Sequence, residues 1–267
     1  MNGIEMSSTT VYRRRGLVYL RDLVRELVAR DMKLRYKRSV LGFAWSLLNP
    51  LAQLLVLNFV FRRVLPLDIP NYTSFLFSGI LVWNWFSSSL YSATGAIVDN
   101  RDLIRRPGFP PGVLPVVSIA SNFIHFLLAL PILLLFLVLS GIPLTSTLFF
   151  LPVLFAIQFV LTLSFAYLVA ALHVSFRDTQ YLLGIALLLG FYLSPVFYDV
   201  AAIPVRYRSL YYLNPMVLII DSYRAVLMRG ELPDARGLLL LTGAAMILFW
   251  LGRQVFDRSS RHFVEEL

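Results

Sequence analysis

The run Asp99-Asn100-Arg101-Asp102-Leu103-Ile104-Arg105-Arg106 is a dense island of charge between two long stretches that carry none. Its chemistry is docking. A short helix charged on one face, with Leu103 and Ile104 as apolar anchors and Pro107-Gly108 to end it, can seat in a groove on a soluble subunit and push on the apolar segments beside it. The same residues read equally as a solvated loop carrying the positive charge that orients a membrane protein.

A second set of residues suits sugars. Trp45, Trp83, Trp85, Phe86 and Tyr91, with Phe191, Tyr192, Phe197 and Tyr198, present uncharged π-faces. The apolar C–H faces of a glycan stack on such rings, and a lining of this kind lets a long chain slide. Each ring taken singly is as well explained by helix contacts or an interfacial belt; the collective excess supports a lining.

Catalytic signatures are missing. There is no GxxxxGK[ST], no HExxH and no GxSxG, so ATP would be bound by another chain. His125 and His173 stand alone in apolar surroundings and read as structural. Proton- or ion-driven carriers place carboxylates or histidines at membrane depth; their scarcity here means that energy for transport comes from a partner. Without cysteine, thiol chemistry, disulfides and Cys-held metal are excluded.

The elements that position these residues are membrane helices. Hydrophobic residues make up 58% of the 267-residue chain and charged residues 15%, against roughly a quarter charged in soluble domains. Mean hydropathy is +0.73. The apolar runs are continuous and lack the period-two alternation of a barrel, so helices are expected. The net charge of +9 clusters beside apolar runs and points to orientation in a bilayer, with no role for nucleic acid. Arg13-Arg14-Arg15 is followed by no apolar core of signal-peptide type.

Leu17 to about Tyr36 reads as an amphipathic helix. Leu20, Leu23, Val24, Leu27 and Val28 recur at helical spacing, and Arg21, Arg25 and Arg30 stand opposite. With Lys33, Arg35, Lys37 and Arg38 it would lie in the headgroup region. Six spans follow, at about Ser39–Phe61, Tyr72–Ala96, Val113–Ser140, Ser146–His173, Gln180–Tyr198 and Gly237–Gly252. Asn49-Pro50 should kink the first, and Gly141-Ile142-Pro143 turns the third into the fourth. The segment 199–236 holds an apolar stretch too short to span, broken at Asn214-Pro215, and fits a re-entrant helix pair. Tyr207, Tyr211, Tyr212, Asn214 and Pro215 would form a gate over the outer mouth, or a rigid lid. The expected organisation is thus a cytoplasmic N-terminus (1–38), a six-span domain (39–256) with the charged loop at 98–111, and a cytoplasmic tail (257–267). The bias of Lys and Arg puts both termini in the cytoplasm.

In combination and order, RYKRSVLGFAWSLLNPL (35–51), FRD at Phe176–Asp178, SPVFY at Ser194–Tyr198, YLNPM at Tyr212–Met216 and the terminal F-x-x-x-L at Phe263–Leu267 resemble the membrane subunit of ABC-2 type exporters of bacterial surface polysaccharides: O-antigen, teichoic acid and capsule permeases. The resemblance covers nearly the whole chain. It implies an all-α homodimer of six-span subunits in the inner membrane, paired with two ATPase subunits that bind ATP and magnesium and drive a lipid-linked glycan outward. It implies no cofactor or catalytic site in this chain. Asp99–Arg106 would be the coupling helix, Leu17–Tyr36 the interface helix, and the segments flanking Asn214-Pro215 the outer gate. Three other readings are an ABC-2 exporter of a drug or lipid, a membrane-embedded glycosyl- or acyltransferase (only Asp199 and Asp221 are outer candidates for one), and a passive channel.

Overall fold

The computed structural model describes residues 5–37 and 44–267; Arg38 and the first residues of the expected first span, 39–43, lie outside them. Among the described residues the chain is helical throughout and has no strand. Helix α1 spans Glu5–Tyr36 and α2 spans Ala44–Phe59, the latter extended by a π-turn at Val60–Val64. The expected kink site, Pro50, stays inside α2. Next come α3 (Tyr72–Gly95), the short α4 (Arg101–Ile104), α5 (Val113–Leu139) and α6 (Leu151–Ser175). After them follow α7 (Thr179–Tyr192), α8 (Val205–Tyr211), α9 (Pro215–Arg224), α10 (Ala235–Ser259) and α11 (Phe263–Glu266).

Among the described residues four segments are long and apolar enough to cross a membrane: 44–64, 113–139, 146–175 and 235–259. The two other expected spans differ from these in informative ways. α3 carries Ser74, Ser78, Ser87, Ser88, Ser89, Ser92 and Asn84, which lower its hydropathy. It tolerates them because it is the central helix: 18 of its 24 residues are buried, against α2, α5, α6, α7 and α9. Polar side chains facing protein act as interhelical glue. Ser74 Oγ lies 2.9 Å from Ser140 Oγ, and the buried Gln158 of α6 donates to the Val82 carbonyl at 3.0 Å.

α7 has 14 residues, so it is about 21 Å long, less than a bilayer's hydrocarbon core of about 30 Å. It stops at Tyr192, where a span through Tyr198 was expected. Pro195 explains this: it has no N–H to give and turns the residue before it away from the α region. The chain instead makes a turn whose Ser194, Pro195 and Val196 are buried.

α10 lies along α6, and α1 crosses α5. Gly141, at φ +76°, provides the left-handed residue that ends α5 and starts the return toward α6. α11 contacts both α4 and the end of α6, where Ser175 Oγ donates to Glu266 Oε2 at 2.7 Å. α1 reaches the same end through Arg30 and Asn100. The described parts of both terminal segments therefore gather around α4, while α8 and α9 close the opposite end of α3.

Candidate functional site

α4 follows one turn of 3₁₀ helix at Val98–Asn100, so the charged loop is helical as expected. Asp99, Arg101, Asp102, Arg105 and Arg106 are exposed. The apolar anchors face the other way. Ile104 is buried at 6% exposure and Leu103 is half-buried against the protein's own core. α11 covers this side, where Phe263, at 1% exposure, packs edge-on against Phe256. Leu103 and Ile104, expected to anchor in a partner's groove, thus lie against this chain's own core and last helix, and the face of α4 left exposed is the charged one.

α1 turns Leu27 and Met32 inward and packs Leu23, Val24 and Val28 against the core. Arg21, Arg25, Arg30, Lys33 and Lys37 are exposed. Arg21 pairs with its neighbour Asp22, and Arg30 Nη2 donates to Asn100 Oδ1 at 2.6 Å. Arg35 differs from the others. Its guanidinium turns toward α5, with Nη1 3.3 Å from Asn122 Oδ1 and 3.3 Å from His125 Nε2.

The expected lining aromatics fall into three groups. Trp45 and Tyr91 are exposed (58% and 49%) and face a cavity of about 670 Å³, which Trp85 also reaches. Trp85 is otherwise buried in a cluster with Phe123, Phe126 and Phe155. Trp83 and Phe86 are buried at 5% and 8%. Both lie on the buried side of α3, away from the face that Ser88 and Tyr91 present to the cavity, so within this chain they are core residues. They begin a ladder of rings: Phe86 and Phe191 both touch Trp83, Phe191 touches Tyr192 and Phe197, and Phe197 touches Tyr198. The ladder ends at Tyr211 on α8, whose hydroxyl meets that of Tyr198. Burial, and then this bond to Tyr211, push the Tyr198 hydroxyl above the ordinary tyrosine range.

The cavity passes between α2, α3, α5 and α7. From Tyr91 to Leu81 it follows ten residues of α3, about 15 Å. Its α4 end is polar, with Arg35, Tyr36, Asn122, His125 and Ser92. Its deep end is mostly apolar, with Pro50, Leu81, Phe126, Ala129 and Leu187 beside Asn49 and Asn84, the latter's amide donating to Gln53 Oε1 at 3.1 Å.

At the other end of the bundle, Asn214 caps α9. Its Oδ1 accepts from the Met216 N–H at 3.0 Å, and Pro215 takes the first helical position. Asn214 Nδ2 also donates to Ser194 Oγ at 2.9 Å, fastening α9 to the turn after α7. Tyr207 and Tyr212 are exposed beside this junction, with the Arg206 guanidinium on the Tyr207 ring.

Sequence reasoning missed Arg224. This residue is 3% exposed, and among the described residues it has no carboxylate within ion-pair distance. It donates to the carbonyls of Pro195 (2.6 Å), Val196 (2.8 Å) and Phe75 (3.2 Å), and lies 3.4 Å over the Phe75 ring. An arginine directly after the short apolar stretch was the available signal. Asn122 was also passed over, and His125 was read as a lone structural histidine, although spacing i, i+3 puts the two on one face of α5. Among the described residues no group of side chains has the composition of a metal site.

Comparison with known proteins places this architecture. The family model for the ABC-2 type transporter matches residues 22–228. The O-antigen export system permease protein RfbA of Myxococcus xanthus is 38% identical over 255 residues, covering 95% of this chain and 98% of that protein. A protein of the same name from Klebsiella pneumoniae is 32% identical over 254 residues, covering 94% and 97%. The polysialic acid transport protein KpsM of Escherichia coli is 25% identical over 248 residues, covering 91% and 95%. A buried polar central helix ringed by apolar ones, with one charged short helix at its end, is thus found in a chain that belongs to the ABC-2 type transporter membrane family.

Proposed function

We propose that this chain is the membrane subunit of an ATP-driven exporter that moves a lipid-linked surface polysaccharide, of O-antigen or related type, from the cytoplasmic to the outer side of the bacterial inner membrane. The observation that carries this reading is the end-to-end similarity to permeases named for O-antigen export. Two copies pair with two ATPase subunits, which bind ATP and magnesium. α2, α3, α5, α6, α7 and α10 are the six crossings; α3 crosses largely inside protein, while α7, which has no buried residue, crosses at the periphery. The α4 end and both termini face the cytoplasm. The exposed charges of α4 receive the ATPase and α1 is the interface helix. Trp45, Tyr91 and the edge of Trp85 lie on the substrate's path, and the Tyr198–Tyr211 and Asn214–Ser194 contacts hold the outer gate closed.

A mild-detergent pull-down of the chain from its native membrane, with mass spectrometry, tests the assembly. A stoichiometric partner with a Walker A motif is expected. Deletion of the chain should remove a surface glycan and leave it inside the cell on its lipid carrier. No ATPase partner, or an unchanged surface glycan, would overturn the reading; loss of a different exported compound would support a drug or lipid exporter.

A further inference from the structure

The polar corner of the 670 Å³ cavity is built around one cation. A guanidinium only donates, so where Arg35 Nη1 meets His125 Nε2 that nitrogen accepts. The ring hydrogen is then on Nδ1, which donates to Tyr36 Oη at 3.0 Å. His125 is thereby a neutral ring that aims Arg35 and adds no charge. Asn122 does the same from the next turn of α5. Its Nδ2 is committed to the Ser118 carbonyl (2.8 Å), Ser92 Oγ (3.3 Å) and the Ser88 carbonyl (3.4 Å), which turns Oδ1 toward Arg35. The one carboxylate in contact, Asp31, is a single-pronged partner at 3.6 Å. Arg35 has five N–H groups, and these contacts are long and non-bidentate, so the strong directions of the fork are unused.

Behind this cation the cavity becomes mostly apolar, at Pro50, Leu81, Phe126 and Leu187, with Trp45 and Tyr91 along its side; of the polar residues there, Asn84 donates to Gln53 and Ser87 to the Trp83 carbonyl. A free sugar has no use for the apolar depth, and an uncharged lipid has none for the guanidinium. An anionic head on a long apolar chain uses both. In a low-dielectric setting a phosphate needs a positioned cation, and arginine's planar fork matches its oxygens.

We propose that Arg35, held by Asn122 and His125, is a binding site in this chain for the phosphate of a lipid whose chain enters the cavity, and that this lipid is the carrier of the exported glycan. The inference rests on the export reading above for the identity of the lipid, while the phosphate site stands on the geometry alone.

The test is native mass spectrometry of the full chain, with three probes: a long-chain isoprenoid phosphate, the matching unphosphorylated isoprenoid alcohol, and phosphatidylglycerol. The isoprenoid phosphate should bind wild-type protein about tenfold or more tightly than the alcohol, since a hydrogen bond to a charged group is worth about 1.5–3 kcal/mol. Arg35→Gln should erase that ratio, and Arg35→Lys should retain part of it. Equal binding of phosphate and alcohol to the wild type would overturn the site without any need for a variant. Phosphatidylglycerol binding as tightly as the isoprenoid phosphate, with the same dependence on Arg35, would keep the phosphate site but overturn its assignment to the carrier. Failure of the export reading shows independently, as a missing ATPase partner or an unchanged surface glycan.

Discussion

Arg30 Nη2 donates a 2.6 Å hydrogen bond to Asn100 Oδ1 and so joins α1 to the turn that launches α4, 70 residues further along the chain. Asn100 is itself fixed by its Nδ2, which donates to the Ala96 carbonyl at 2.9 Å on the last turn of α3. A push on α4 therefore reaches both the long surface helix and the central span. Arg30→Ala and Asn100→Ala should each lower the amount exported per ATP hydrolysed several-fold in reconstituted vesicles, with the chain as abundant as wild type. The contact is exposed, and its loss should cost no more than about 1 kcal/mol of stability. Because both act through one bond, the double variant should be no worse than either single one; additive losses would mean that the two residues act separately.

The two faces of α4 separate docking from folding. Ile104 is buried beneath α11, so Ile104→Asp places a carboxylate in the core and should reduce the amount of chain recovered from membranes, for a reason unrelated to any partner. Arg105→Glu with Arg106→Glu changes only exposed positions. That pair should leave abundance and melting unchanged while abolishing copurification of the ATPase. If the ATPase still binds the charge-reversed chain with wild-type recovery, the exposed face of α4 is not where it docks.

Element type and order were legible in the sequence because long uncharged runs, Gly141 and the Asn214-Pro215 break are local signals. Burial was not. Trp83 and Trp45 look alike in sequence, yet Trp83 is on the helix that α2, α5, α6, α7 and α9 pack against and Trp45 is exposed. Whether Ile104 faces a partner or the chain's own interior depends on α11, which arrives about 160 residues later. Arg224 looked like one more loop arginine because its three carbonyl acceptors come from a turn and a helix far away in sequence. Periodicity reports the exposed and buried faces of one helix; it carries no information on which helix takes the centre.

Arg224 is the pin of the α8–α9 end. It holds the Pro195-Val196 turn against α3, and that approach is close: a Cβ on Gly79 would lie 2.7 Å from the Val196 oxygen and 2.8 Å from Arg224 Nη2. Arg224→Met keeps most of the volume and removes all the donors, leaving the Pro195 and Val196 carbonyls without this partner at about 1–3 kcal/mol each, while the Phe75 carbonyl keeps the Ser78 hydroxyl. Gly79→Ala keeps the donors and wedges the two elements apart. Both variants should lower the melting temperature of the detergent-solubilised chain by several degrees, and Arg224→Lys should recover part of the loss because it can satisfy some of the carbonyls. If Arg224→Met melts with the wild type, the guanidinium does not hold the turn and the α8–α9 pair is anchored elsewhere.

The last helix has a role its length does not suggest. α11 is four residues long, yet Phe263 is almost fully buried, and the helix touches α4 and α6 together, with Glu266 accepting from Ser175. Arg253 braces the same end, sharing the Tyr167 hydroxyl with the Gly112 carbonyl at the start of α5. α4, flanked by Gly108 and two further turns, has little of its own to keep it in place; α11 is the floor it rests on. Phe263→Ala should therefore leave α5, α6 and α10 packed, with only a small loss of melting temperature, and act mainly on α4. Hydrogen exchange should rise at 98–106 and stay unchanged in α6, and export per ATP should fall while the ATPase remains bound. Unchanged exchange at 98–106 would mean that α4 is held by α3 alone, and that the tail is a passenger.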